Sequence, residues 1–302
     1  MYQEKGDIGN LVHLYVDGAF SRRELVQRVA RHTGSIAAAM TALGGFEIMH
    51  AQAPPACPAG IKVPADAPDI VVRDVQFSGE AGTLLGYLAY PKTTTAKLFP
   101  GVIVVHENQG LLEHHKDVAR RIARAGFVGV AVDLLSRQGG TDQFPDAVTR
   151  AAAYGRTLPF ERRSDLVSTL SYIKGLPNIV FNRIGIVGFC AGGGNVWDLI
   201  TRVDEFAAAV PYYGTPLPTT DQIDAIKTPV LAIYAELDRT LTRNMAPVMT
   251  DMITKQKTFG FAVYQGAGHA FNNDTGAAYN PEAACDAWAR TIGWFNKFLY
   301  QA

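Results

Sequence analysis

A cysteine between glycines, a glutamate just past an apolar run, and an aspartate and a histidine beyond two later apolar runs are the residues whose types and spacing could do covalent chemistry. Cys190 is the centre of Gly188-Phe-Cys-Ala-Gly192, a G-x-nucleophile-x-G pattern with sulfur where oxygen is commoner. The spacing has a steric cause. A sharp strand-to-helix turn strains the backbone of its central residue, and strand and helix approach closely only when the flanking positions are small. Such a turn lifts the sulfur above the sheet edge, aims the first helical N–H groups at the reacting carbon, and favours thiolate through the helix dipole. The competing reading makes Cys190 a small buried apolar residue among packing glycines, since free cysteine is among the most buried residue types.

Gly266-Ala-Gly-His269 follows a strand-like run and precedes a polar loop, where a base must stand to reach such a nucleophile. A satisfied core histidine is the bland alternative. Asp238, closing Ala235-Glu-Leu-Asp238, also leaves a strand end. Its carboxylate would accept the Nδ1–H of His269 and hold the tautomer, unless it serves only as a helix N-cap. Chain order favours a site: Cys190, Asp238, His269 is the nucleophile, acid, base sequence of the α/β-hydrolase fold, each at the carboxyl end of a strand. In His106-Glu-Asn-Gln-Gly110 the backbone N–H of Asn108 is the expected companion of the Ala191 N–H in an oxyanion hole, because this loop abuts the elbow in such sheets. Glu107 is near enough to the thiol to raise its pKa or take its proton. His106, His114 and His115 lack metal-ligand spacing, so neither a metal nor a cofactor is expected.

These residues need elements to carry them. Ile70 to Phe77 and Leu84 to Tyr90 read as an opening antiparallel pair. Apolar strands then alternate with amphipathic helices: strands at Gly101 to His106, Phe127 to Val132, the run ending at Val187, Ala207 to Tyr212, Pro229 to Tyr234 and Phe259 to Tyr264. Helices are expected at Lys116 to Ala125, Arg163 to Lys174, Ala191 to Ile200 and Pro281 to Leu299. This period implies an α/β fold, a mostly parallel sheet with helices on both faces. Residues 61–302 form that domain, and residues 1–60 are read as a helical N-terminal extension and linker.

With 302 residues, 48% of them hydrophobic, the chain can bury roughly three quarters of its unfolded surface without a disulfide or metal. Equal acidic and basic counts, 28 each, give no electrostatic argument for nucleic acid or an anionic membrane, so a small molecule is the expected partner. Composition leaves the oligomeric state undecided. Cys57, Cys190 and Cys285 are too few and too scattered for a disulfide framework or a zinc site. No apolar run reaches the roughly 18 residues of a membrane span.

Residues 1–53 have a different texture: a short helix at Ile8 to Val16, then Ser21-Arg-Arg-Glu-Leu-Val26, a weakly apolar Ser35 to Gly44, and Ala51-Gln-Ala53. Two readings compete. Ser-Arg-Arg, an apolar stretch and an A-x-A site resemble a twin-arginine export signal, implying a periplasmic location. Ser21-x-x-Glu24 is equally a capping box opening a docked amphipathic helix, implying a cytoplasmic protein. The cytoplasmic reading is preferred, because Arg28, Arg31 and His32 intrude before the apolar stretch.

On His106-Glu-Asn-Gln-Gly, Gly188-Phe-Cys-Ala-Gly-Gly, Tyr212-Tyr-Gly214, Ala235-Glu-Leu-Asp238 and Gly268-His-Ala-Phe-Asn-Asn-Asp274, the chain from about residue 65 onward resembles the dienelactone hydrolase (carboxymethylenebutenolidase) family. It looks similar to the subgroup with an added N-terminal Ser-Arg-Arg segment. The resemblance implies hydrolysis of esters or lactones through a Cys190 thioester, with Glu107 as the glutamate that meets the resting cysteine. It also implies Arg150 and Tyr154, in Arg150-Ala-Ala-Ala-Tyr154, and Tyr213 as substrate contacts. One departure stands out: where dienelactone enzymes carry a second, carboxylate-holding arginine after the histidine, this chain has Asn272-Asn-Asp274, so the resemblance carries the chemistry and not that substrate. Acyl transfer by the same residues, or a hydrolase fold used only for binding, are the alternatives.

Overall fold

The computed structural model describes residues 22–35, 38, 62–93 and 97–300. The chain separates into two compact units, Met1–Ala56 and Cys57–Ala302. In the first, Arg22–Thr33 is a helix in which Leu25 and Val29, one turn apart, are buried. The helix expected at Ile8 to Val16, Ser21 of the capping box, most of Ser35 to Gly44, Ala51 to Ala53 and the linker at 54–60 lie outside the described residues.

The second unit is built on an eight-stranded sheet: β1 Ile70–Gly79, β2 Gly82–Pro91, β3 Phe99–Val105, β4 Val128–Val132, β5 Ile179–Phe189, β6 Ala208–Tyr212, β7 Val230–Ala235 and β8 Phe259–Tyr264. Their order is β1-β2-β4-β3-β5-β6-β7-β8. The first pair is antiparallel, as expected, and β2 runs antiparallel to β4; every later pairing is parallel. This is the α/β-hydrolase fold.

Side-chain alternation along buried strands sends neighbouring residues into opposite layers. Ile103 and Val105 pack on one face with Leu166, Leu170, Ile173 and Val196, while Val102 and Val104 pack on the other with Val118, Ile122, Ala284 and Phe295. Because both faces are covered, the central strands read as unbroken apolar runs. Each fully buried Leu, Ile or Val contributes roughly 1.5–3 kcal/mol relative to exposure.

Three helices escaped the sequence pattern, the shortest being Thr220–Ala225. Ala147–Arg156, given no helix by the apolar spacing, is started by Asp146, whose Oδ1 accepts the Thr149 N–H at 2.8 Å. Arg239–Thr254 carries Pro247 inside it, which reads as a breaker, yet Met245, Val248 and Met252 form a buried stripe. The last helix ends at Phe295 rather than running to Leu299, and the chain continues as a wider π turn over Asn296–Tyr300. Among the described residues no helix is long and apolar enough to cross a membrane.

Candidate active site

The parallel order sets β3, β5, β6, β7 and β8 side by side, so the residues just past their carboxyl ends share one rim: Glu107, Cys190, Tyr213, Asp238 and His269. Cys190 joins β5 to the helix Ala191–Ile200 with φ 54° and ψ −118°, a left-handed conformation that costs a non-glycine residue of order 1–3 kcal/mol. Its N–H is tied to the Tyr212 carbonyl at 3.0 Å and its carbonyl to the Gly194 N–H at 3.1 Å. A Cβ on Gly188 would stand 2.4 Å from the Gly192 oxygen, and one on Gly192 would stand 2.4 Å from the carbonyl oxygens of both Val105 and His106. Only hydrogen fits at either flank. Cys190 is partly exposed and free, which the reading as a buried packing residue does not accommodate. Cys285, by contrast, is disulfide-bonded, so the scattered cysteine spacing did not preclude a bridge.

His269 reaches both candidate partners. Its Nδ1 lies 2.5 Å from Asp238 Oδ2. Asp238 occupies the N-cap position of Arg239–Thr254, but its side chain caps no N–H; the carboxylate is given to the imidazole instead. The hydrogen bond to Cys190, opposed by burial and aided by the bond to Asp238, raises the His269 pKa from the ordinary 6.5 to about 9. Tyr213 packs against the same ring with centroids 5.0 Å apart. Cys190, Tyr213 and Ala270 are three of the four non-glycine residues with positive φ among those described, so backbone strain concentrates at this rim.

The loop after β3 is fixed by histidines rather than exposing them. A carbonyl can only accept, so His106 Nδ1 donates to the Glu107 oxygen at 2.5 Å, and Nε2 must then accept the Leu134 N–H at 2.9 Å. Burial lowers the pKa of His106, with Asp133 opposing, which suits this neutral tautomer. His115 Nε2 accepts the Glu107 N–H at 3.3 Å, and burial, with His114 and His106 nearby, drives its pKa well down. His114 bonds Asp274 at 2.9 Å. Glu107 Oε2 accepts from the Asn273 amide at 3.0 Å, and Oε1 is buried without a partner among the described residues. Asn108 and Ala191 donate their backbone N–H groups to no acceptor among the described residues.

Tyr154 comes to Cys190 from the helix Ala147–Arg156. Burial raises the pKa of its phenol and Cys190 adds to this, while Arg162 and the Asn195 bond oppose. Burial, then Glu107, Tyr212 and Cys190, hold the Tyr213 phenol far up as well, so both hydroxyls keep their protons. Arg150 is not drawn into this group. It shares a helix face with Tyr154, but its guanidinium donates to the Phe144 carbonyl at 3.2 Å, and its Nε is buried without a partner among the described residues. The residues that sequence reasoning missed are those behind the first layer: Asn273 holding Glu107, His115 holding the Glu107 amide, and Asn195 with Arg162 holding Tyr154. Asn273 alone left a signal, as the departure after the histidine.

Comparison with known proteins places this chain in a family. Residues 84–299 match the dienelactone hydrolase family, and the chain belongs to it. It is 31% identical over 252 residues to a protein of Methylorubrum extorquens provisionally named carboxymethylenebutenolidase, covering 78% of this chain and 84% of that one. A solved structure of a provisionally assigned dienelactone hydrolase from Klebsiella pneumoniae subsp. pneumoniae superposes with a TM-score of 0.69 at 28% identity, over 76% of this chain and 99% of its own. A dienelactone hydrolase-like promiscuous phosphotriesterase from metagenomic libraries shares the fold, with a TM-score of 0.67 at 23% identity over 76% of this chain and 99% of its own.

Proposed function

We propose that this protein hydrolyses small ester or lactone substrates by way of a thioester on Cys190. His269, steered by Asp238, takes the thiol proton; the thiolate attacks the carbonyl carbon; the oxyanion accepts the N–H groups of Asn108 and Ala191. The imidazolium returns its proton to the leaving oxygen, and neutral His269 then activates the water that cleaves the thioester. Glu107, just past β3 on the same rim, is assigned to the resting site beside Cys190. Tyr154 and Tyr213 line the acyl site as protonated donors, and the Arg150 guanidinium, bonded to the Phe144 carbonyl, takes no part. One observation carries the reading: a left-handed cysteine hydrogen-bonded to an imidazole whose other nitrogen is 2.5 Å from a carboxylate that caps nothing.

The test is p-nitrophenyl acetate hydrolysis with intact-mass detection of the acyl enzyme. Cys190→Ala should lower turnover by several orders of magnitude and abolish the adduct, by analogy with nucleophile knockouts. Turnover unchanged in Cys190→Ala ends this account, and absence of turnover in the wild type leaves a binding protein on a hydrolase fold.

The disulfide at Cys285 favours export through the Ser21-Arg-Arg segment over the cytoplasmic reading, because cytosolic thiols are kept reduced. Fractionation of cells expressing the full chain tests it: recovery in the periplasm is expected, and recovery in the cytosol alone overturns it.

A further inference from the structure

Behind Tyr154 lies a hydrogen-bond chain whose polarity is fixed from one end. Arg162 is an obligate donor, because a guanidinium has no acceptor. Its Nε donates to Asn195 Oδ1 at 3.2 Å, so the Asn195 amide can be oriented only one way. Nδ2 must then face Tyr154, and it donates to the phenol oxygen at 2.8 Å. That bond occupies a lone pair on Tyr154 and leaves its hydrogen to point elsewhere. Arg162 is itself anchored: NH1 reaches both the carbonyl and the hydroxyl of Thr157, and its guanidinium lies 4.9 Å from the centre of the Tyr154 ring. Burial raises the phenol's pKa and the nearby Cys190 adds to it, so the proton stays on.

The placement of the chain says where that hydrogen goes. Asn195 is four residues after Ala191 on one helix, hence on the same face. The Tyr154 ring meets His106 edge-on at 6.0 Å, and His106 opens the loop that carries Asn108. Tyr154 therefore packs against the loop and the helix that carry the Asn108 and Ala191 amides, while His269 is packed against Tyr213.

We infer that Asn195 is a positioning residue which, locked by Arg162, turns the Tyr154 hydroxyl into an outward donor for the same substrate oxygen that the Asn108 and Ala191 amides receive. The inference rests on the proposed Cys190 chemistry. No step of bond making is added: Tyr154 donates a hydrogen bond and keeps its proton.

The discriminating variant is Asn195→Asp. A carboxylate accepts from Arg162 and also from Tyr154, so the chain stays closed and folded while its last hydrogen is turned back from the site. Thermal unfolding close to wild type is expected, with kcat for p-nitrophenyl acetate down by about 10-fold or more and KM within about threefold, since a donor to developing charge acts mainly in the transition state. Tyr154→Phe should lose as much, and Tyr154→Phe with Asn195→Asp should lose no more than Tyr154→Phe alone. Asn195→Ala, which frees the hydroxyl without recapturing it, should lose less than Asn195→Asp; it serves if Asn195→Asp does not fold. Wild-type kcat in Asn195→Asp, a full product of the two single losses in the double variant, or Asn195→Ala as active as wild type when Asn195→Asp does not fold, overturns the inference. Cys190→Ala, run alongside, separates the failures: if it retains turnover the thioester reading falls, and if it is inactive while Asn195→Asp is unimpaired only the positioning role falls.

Discussion

The side-chain amide of Asn273 donates to one oxygen of Glu107 at 3.0 Å, and the other oxygen of that carboxylate is buried without a partner among the described residues. A neutral amide thus stands where a cation would neutralise Glu107, and Asp274 follows it. Neutral esters should therefore be better substrates than esters carrying a free carboxylate. Asn273→Arg should raise the ratio of kcat/KM for an anionic ester over its neutral methyl ester by about 10-fold, the scale of one charge-assisted hydrogen bond. An unchanged ratio would mean that the substrate's acid group is not read at this position.

The Asp238 to His269 bond predicts a pH dependence. His269 holds its proton up to about pH 9, and only the neutral ring can take the thiol proton, so kcat/KM should climb as pH rises toward that value. Asp238→Asn removes one of the groups that raise the pKa. Its rising limb should move to lower pH, and its turnover should drop by about two to four orders of magnitude, the range for a lost orienting carboxylate. The same raised pKa contributes stability that is complete below 6.5 and is lost as pH rises through about 9. Urea midpoints at pH 7 and pH 10 should therefore converge in Asp238→Asn relative to wild type.

Gly192→Ala tests the elbow without touching a reacting group. The new Cβ would sit 2.4 Å from two backbone oxygens, Val105 and His106, which cannot rotate away. Overpacking of this kind costs about 1–3 kcal/mol or more, and each kcal/mol lowers the midpoint by about 2–4 °C at this size. Calorimetry should register a fall of about 5 °C or more. A wild-type transition would mean that strand and helix have room the close contacts deny.

Asp274 predicts acid sensitivity. Burial alone would raise its pKa, but His114, Arg121 and Lys62 outweigh it and hold the carboxyl at about 2. A depressed pKa stabilises above the ordinary 3.8, and the contribution disappears as pH falls toward 2. Asp274→Asn should unfold at lower urea than wild type at pH 7, with the gap closing below about pH 3.

Iodoacetamide applied without reductant should label Cys190 and spare the bridged Cys285, with esterase activity lost in step. Activity surviving full alkylation of Cys190 would contradict the thioester route.

The sheet and the rim residues were legible because each left a local signature: apolar runs of strand length, glycines at fixed offsets from Cys190, and chain order from nucleophile to acid to base. What lay beyond reading was whatever depends on partners far apart in the chain. Nothing near Asn195 announces that Arg162, 33 residues earlier, dictates which way its amide faces. Arg239–Thr254 was hidden by an interior proline whose cost the buried methionines offset. The Cys285 bridge was hidden because cysteine count and spacing say little about which thiols meet.

His106 ties two strand ends together like a rivet, one nitrogen on its own loop and the other on the chain leaving β4. The rivet works only while the ring is uncharged, since a second N–H would face the Leu134 N–H head-on. Acidification would therefore spring this loop, and the amide of Asn108 with it, before the sheet beneath gives way.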